Sequence, residues 1–495
     1  MTYISSIHFM QNAYYLFITI ILFLQGCAFQ SSENDHLPLL TVSENQRYLE
    51  HQDGTPFFWL GDTSWGMSEW LNKEDVDIYL DQRKAQGFNV LQICLFWGKR
   101  EDDPVNFTTN PENAYGHQAF REIDGKPDPT QPKIVEGGSP DNPNDYWDHV
   151  DYIVQAAKDR NMILAVLPVW GRRYVNASHG KFSSAIFGLE DMRAYGKFLG
   201  ERYRDENHLI WVMGGDVKAD AQGDYLGHYR AMAEGILQGI TQESVDWNQE
   251  SPLWDYVLMT YHPDGAPYLN SSDWFHKDVW LDFNMIETFT NVNDVYAAVM
   301  EDYALSDPIK PTVMGEPGYE GFPIKDTDSV ISAVQMRRQA YQSMFAGAAG
   351  FTYGGFRDAL NNGPLFSPFK GWQKLMNMEG AVTLIKLKEF CDSYHWPDWK
   401  PTQGVMSQEE GAGELRKVAV NVGDRKELLV YFPDNSAASL NITHRFPSGS
   451  IIEKLWYNTV SGNYQDGGQI NNIQEEIILQ PPGSWTDAVL ILREG

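Results

Sequence analysis

The chain has 495 residues, 42% of them hydrophobic, and 38 Lys and Arg against 67 Asp and Glu give a formal net charge of −29. That length exceeds one ordinary domain but accommodates a barrel of about 250 residues or more plus a second domain. The acidic balance argues against nucleic acid as a partner, since phosphate contacts need a basic face, and the negative mean hydropathy argues against a multi-span membrane protein.

The first segment reads as targeting. Residues 14–24 (YYLFITIILFL) are an apolar core too short to span a bilayer comfortably, and LQGC follows at 24–27. A small residue before a cysteine at this place resembles a bacterial lipobox, which implies cleavage before Cys27 and its lipidation. Residues 1–27 are therefore expected to be a lipoprotein signal and 28–37 a polar tether. The expected location is the bacterial outer membrane, at the cell surface or in the periplasm, held by a lipid anchor. Cys27, Cys94 and Cys391 make no CxxC or zinc spacing, and the last two read as buried free thiols.

From residue 38 onwards, strand and helix patterns alternate. Continuous apolar runs predict strands at 57–65, 89–97, 162–170, 208–216, 256–263, 281–288, 310–318 and 351–356. Helical spacing predicts helices at 74–87, 145–160, 189–204 and 329–350. A Pro, Asn and Gly-rich insertion at about 99–144 reads as a long functional loop. Asp145, Asp148 and Asp151 read as one solvated helix face. Eight such strands with crossovers predict a (β/α)8 TIM barrel over 38–394. After the Trp/Pro junction near 396, the period becomes two. Residues 395–495 are expected to form a small antiparallel β-sandwich that packs on the barrel.

Barrel chemistry lies at the C-terminal strand ends. Those ends are Asp62, Trp97, Trp170, Asp216, His262, Glu287, Glu316 and Tyr353. IWVMGGD (210–216) and TVMGEPG (312–318) each end an apolar run in Gly and then an acid. Two carboxyls from different strands suit glycosidic cleavage, in which one protonates the leaving oxygen and the other attacks the anomeric carbon or activates water. Asp62, Trp97, Trp170, His262, Glu287 and Tyr353 are then candidates for substrate binding. Trp97 and Trp170 are each followed by Gly and a basic pair, Lys99-Arg100 and Arg172-Arg173, which could receive a substrate carboxylate. No P-loop, GxSxG, HExxH or dinucleotide glycine pattern occurs, so no cofactor or metal is expected.

FFWLGDTSW, GFNVLQICLFW, WVMGGD, VMGEPGYEG and GAAGFTYGGF resemble the apiosidase-like family, family 140 of the glycoside hydrolases, over most of residues 38–390. The β-rich remainder resembles the collagen-binding-type domain often attached there. By motif, the resemblance implies that Asp216 is the acid/base and Glu316 the nucleophile of a retaining hydrolase. It also implies an oligo- or polysaccharide substrate, namely apiose-linked side chains of the pectin rhamnogalacturonan-II. Two alternatives stand beside this: the same acid pair acting on another linkage such as an arabinofuranoside, or a non-catalytic carbohydrate- or matrix-binding lipoprotein.

Overall fold

The computed structural model describes residues 38–98, 109–176, 186–221, 223–265, 268–324, 328–355, 372–408, 410–423 and 426–495. The expected signal, lipobox Cys27 and tether lie outside these residues, as do Lys99 and Arg100. Among the described residues no helix is long and apolar enough to cross a membrane.

All eight predicted strands are present. They are β1 (Trp59–Thr63), β2 (Val90–Cys94), β3 (Ile163–Leu167), β4 (Leu209–Gly214), β5 (Met259–His262), β6 (Asn284–Glu287), β7 (Thr312–Glu316) and β8 (Gly350–Tyr353). Each is buried along its whole length, which is why its sequence is continuously apolar instead of alternating. The hydrogen-bonded order runs β5-β4-β3-β2-β1-β8-β7-β6, all parallel, and curls into a (β/α) barrel. The seam between β5 and β6 is closed partly by side chains. Asp282 N–H donates to Met259 O (2.9 Å), the Asp282 carboxylate accepts from Met259 N–H (2.6 Å), and Thr260 Oγ1 donates to Phe283 O (2.6 Å).

The outer layer comprises α1 (Lys73–Ala85), α2 (Tyr146–Asp159), α3 (Leu189–Arg202), α4 (Leu226–Thr241), α5 (Val295–Tyr303), α6 (Ala333–Phe345) and α7 (Glu379–Ser393). Between β5 and β6, among the described residues, this layer has only the short helical turn Ser272–Phe275 and a two-residue strand, Leu269–Asn270, antiparallel to β6. The long insertion contains a β-hairpin, Phe120–Ile123 with Lys126–Pro132. The acidic row on α2 is not a solvated face. Asp145 caps the helix by accepting from Trp147 and Asp148 N–H, and Asp151 takes both arms of Arg202 at 2.8 and 2.7 Å. Cys94 and Cys391 are buried free thiols.

The C-terminal strands are β9 (Trp399–Thr402), β10 (Met406–Gln408), β11 (Val418–Val422), β12 (Glu427–Phe432), β13 (Ala438–Leu440), β14 (Ile452–Asn458), β15 (Tyr464–Ile470), β16 (Ile477–Leu479) and β17 (Ala488–Glu494). They form an antiparallel six-stranded sheet, β9-β11-β12-β17-β14-β15, and a three-stranded sheet, β10-β13-β16. The period of two sorts the residues. Leu428, Val430, Phe432, Leu490 and Leu492 share a core with the small sheet, while Leu429, Tyr431, Val489 and Ile491 join the barrel core. Tyr431 stacks on Tyr341 of α6 (4.8 Å), and Tyr457 packs on Phe390 of α7 (4.6 Å). Arg337 of α6 reaches through this interface to Asp487 at 2.9 Å, with both side chains sealed from water.

That pair yields a stability prediction. Arg337→Ala leaves the Asp487 carboxylate buried without its cation, so it should cost about 3–5 kcal/mol. Denaturant titration followed by circular dichroism should show the loss; a cost below about 1 kcal/mol would place the pair among the weak surface pairs instead.

Candidate active site

Asp216 is presented by a turn that only this local sequence tolerates. Gly214, Gly215 and Asp216 have φ of 90°, 111° and 55°. A Cβ on Gly214 would lie 2.3 Å from His262 O, and one on Gly215 would lie 3.1–3.2 Å from the Gly171 and Trp170 backbone. Two glycines are thus required by space as well as by backbone conformation, and Asp is among the side chains that tolerate left-handed φ. The turn aims Asp216 at Arg172, whose guanidinium forms an ion pair with its carboxylate. Arg172 belongs to the short helical turn Gly171–Tyr174 that follows Trp170.

Glu316 ends β7 and is nearly buried. Tyr319 donates its hydroxyl to Oε1, and Trp65 Nε1 donates to that hydroxyl at 3.2 Å. His262 Nε2 stands 2.6 Å from Glu316 Oε2. On its other side His262 Nδ1 accepts from Asp216 N–H (3.3 Å), which ties the two acid-bearing turns to one imidazole. Glu287, at the end of β6, lies 3.7 Å from His262 Nδ1. Trp65 meets the His262 ring edge-on at 5.2 Å and Trp170 at 5.1 Å. An aromatic wall therefore encloses the histidine.

Burial and crowding of like charges raise two carboxyls of the cluster, Asp216 and Glu287. Burial, opposed by Arg172 and reinforced by Glu316 and Asp264, pushes the Asp216 carboxyl up to about 6. Burial, then Glu316, Asp216 and Asp264, hold Glu287 well above the usual carboxylate range. The Tyr319 phenol is raised by burial and by its neighbour Glu316. Among the described residues, two sets place ligand-type atoms within 4.8 Å of one another, His262, Glu287 and Glu316 in one and Asp216, Asp264 and Glu287 in the other. These are the side chains that could hold a cation.

The structure gathers Asp216, Glu316, His262 and Glu287 at one place, with Trp170 against His262 and Trp97 against Trp170 (5.9 Å). It does not bring Asp62 or Tyr353 there. Asp62 is wholly buried, paired with Arg83 of α1 at 2.9 Å, and accepts from the Tyr79 hydroxyl. Tyr353 stands beside it in register and donates to Glu320 at 2.7 Å. The reason is parity. Trp59 and Thr352, bonded to each other at 2.9 Å, fill the barrel interior, so Asp62 and Tyr353 turn to the helical layer. The expected substrate contacts of these two residues are corrected to core ion pairing and packing.

The basic pair also differs from expectation. Arg172 is engaged by Asp216, and Arg173 donates to Trp97 O and lies over the Trp97 ring at 5.3 Å. The pair builds the site wall and not a docking patch for a substrate carboxylate. Tyr319, Trp65 and Asp264 went unnoticed in the sequence. Tyr319 follows Glu316 by three residues in GEPGY, and Asp264 follows His262 in YHPDG, so proximity in sequence was the available signal.

These buried acids predict a pH dependence of stability. Asp216 is raised to about 6, and burial raises Asp282 and Asp302 to about 7. Each folded-state value lies above the unfolded one, so the folded chain binds more protons between roughly pH 4 and 7. Stability is fully present below that window and is lost as pH rises through it. His149, held down at about 4 by burial, acts in the opposite sense below about pH 6.5, so the effect is read by comparison. Melting temperatures taken from pH 6 to 8 should fall less in Asp302→Asn than in the wild type, and an equal fall would contradict the assignment.

The apiosidase-like catalytic domain family matches residues 43–398. Among solved structures, one described as a glycoside hydrolase is similar at 28% identity and TM-score 0.73, over 92% of this chain and 97% of that one. A family 5 glycoside hydrolase from Bacteroides vulgatus is similar at 26% identity and TM-score 0.74, over 92% of this chain and 93% of that one. No curated protein matches the chain.

Proposed function

We propose, on the premise that the chain belongs to the apiosidase-like family of glycoside hydrolases, that it is a retaining enzyme with Asp216 as acid/base and Glu316 as nucleophile. That it is a glycoside hydrolase, with a carbohydrate substrate, follows from the family and its structural neighbours. The observation that carries the residue roles is that one imidazole, His262, meets the Glu316 carboxylate through Nε2 and the Asp216 backbone N–H through Nδ1. Asp216, raised to about 6, retains a proton to give at mildly acidic pH. Glu316 is held by Tyr319 and His262 in one orientation.

In the first step Glu316 bonds to the anomeric carbon while the glycosidic C–O bond breaks. The Asp216 proton goes to the leaving oxygen, and Arg172 stabilises the carboxylate left behind. In the second step Asp216 takes a proton from water, which displaces Glu316. As substrate we propose apiose-linked side chains of rhamnogalacturonan-II, met at the cell surface by a chain anchored through Cys27.

The test is incubation of a soluble form beginning after Cys27 with rhamnogalacturonan-II oligosaccharides, with products followed by mass. Release of an apiose-linked fragment supports the substrate. Release only from arabinofuranosides redirects it, and binding without release from any glycan contradicts the hydrolytic reading.

A further inference from the structure

Four carboxyl groups meet where β4, β5, β6 and β7 end, and Glu287 is common to both halves of the group. It has an oxygen within 4.8 Å of Asp216 and Asp264, and one within 4.8 Å of Glu316 and His262. Like charges so close inside a protein do not all ionise. The charge on Asp216 is met by Arg172, and Glu316 receives the Tyr319 hydroxyl and touches His262. Asp264 is half-buried and reaches water. Glu287 differs from all three. It is 2% exposed, its Oε2 has no hydrogen-bond partner, and its ionic contact is the imidazole at 3.7 Å. A Cβ on Gly265 would lie 2.6 Å from its Oε1, so the loop after β5 lies directly on this carboxyl.

We propose that Glu287 is a positioning residue that keeps its proton throughout the cycle, a neutral acid set between the two groups that carry charge. The inference rests on the roles given above to Asp216 and Glu316. During glycosylation one negative charge disappears from Glu316 as it forms its bond, and one appears on Asp216 as its proton leaves. Glu287 faces both positions. An anion there would repel the charge at each end, whereas a protonated carboxyl repels neither. Burial and the three neighbouring carboxyls all act in that direction.

Infrared difference spectroscopy at neutral pH reads the proton without needing turnover. The spectrum of the wild type minus that of Glu287→Gln should contain the C=O stretch of a protonated carboxyl. Glu287→Met serves for the same subtraction should the Gln chain not fold. Because Gln keeps the neutral charge and the hydrogen-bonding shape, Glu287→Gln should lose less kcat/KM than Glu287→Met and should keep the alkaline limb of the pH profile in place. Absence of the protonated band overturns the proposal. So does a loss of about a hundredfold or more in a folded Glu287→Gln chain, or a chelator-sensitive activity that this substitution abolishes, because each assigns an anionic role. Failure of the Asp216 and Glu316 roles is distinguishable, since it shows as turnover surviving Asp216→Asn or Glu316→Gln while the infrared result stands.

Discussion

Glu316→Gln is expected to abolish turnover, lowering kcat by about 10⁴-fold or more while substrate still binds. The amide retains the size of the carboxylate and can still meet Tyr319 and His262, so the barrel should fold normally. What it removes is the oxygen nucleophile and its charge. Every substrate should be affected alike, including those with good leaving groups, because attack at the anomeric carbon precedes any dependence on the leaving oxygen. Steady-state kinetics on a natural oligosaccharide and on an activated aryl glycoside check this. Retention of more than about a tenth of wild-type kcat on either would remove Glu316 from the mechanism.

Asp216→Asn is expected to behave differently. Loss of the proton donor should lower kcat/KM on the natural linkage by about 10²–10⁴-fold, the range of general acid catalysis. An aryl glycoside whose leaving group needs no protonation should react with Glu316 almost normally. The glycosyl-enzyme should then accumulate, because the general base for its hydrolysis is missing too. Its pH profile provides a second check. In the wild type, activity should fall as pH rises through about 6, where Asp216 gives up its proton, and this alkaline limb should vanish in the variant. Equal losses on both substrates, or an alkaline limb that persists unchanged, would assign the acid elsewhere.

How far the sequence could be read depends on which physical signal each feature leaves. The eight barrel strands were legible because burial on both faces forces unbroken apolar runs such as ILAVL at 163–167. The turn that presents Asp216 was legible because Gly214 and Gly215 are demanded by crowding against His262, Gly171 and Trp170, and glycines before an acid are visible in one dimension. Strand-end position alone misled at Asp62 and Tyr353, since it does not say which face a side chain takes; the Trp59–Thr352 contact inside the barrel decides that. The partnership of Arg172 with Asp216 spans 44 residues of sequence and leaves no periodic trace. Helices α4 and α5 went unread. The helix α5, VYAAVMEDY, is short and apolar on most sides, so its period is weak. The six-stranded sheet was read only at a period of two, whereas burial on both faces puts apolar residues at both parities of ELLVYF and AVLILRE.

The C-terminal sheet bears on the site through α6, the next helix after β7 in the chain. Tyr341 and Arg337 lock that helix to Tyr431 and Asp487. Gln339 of the same helix accepts from Gly318 N–H at 2.8 Å, two residues beyond Glu316. The β domain thus packs on the helix that holds the backbone just after Glu316.

The most direct measurement is to mix Asp216→Asn with an activated aryl glycoside, quench in acid and weigh the intact chain. A gain of one glycosyl unit, mapped by peptide fragmentation to Glu316, is the predicted result. Turnover with no adduct and a product of inverted configuration, or an adduct on another residue, would contradict the assignment of the two acids.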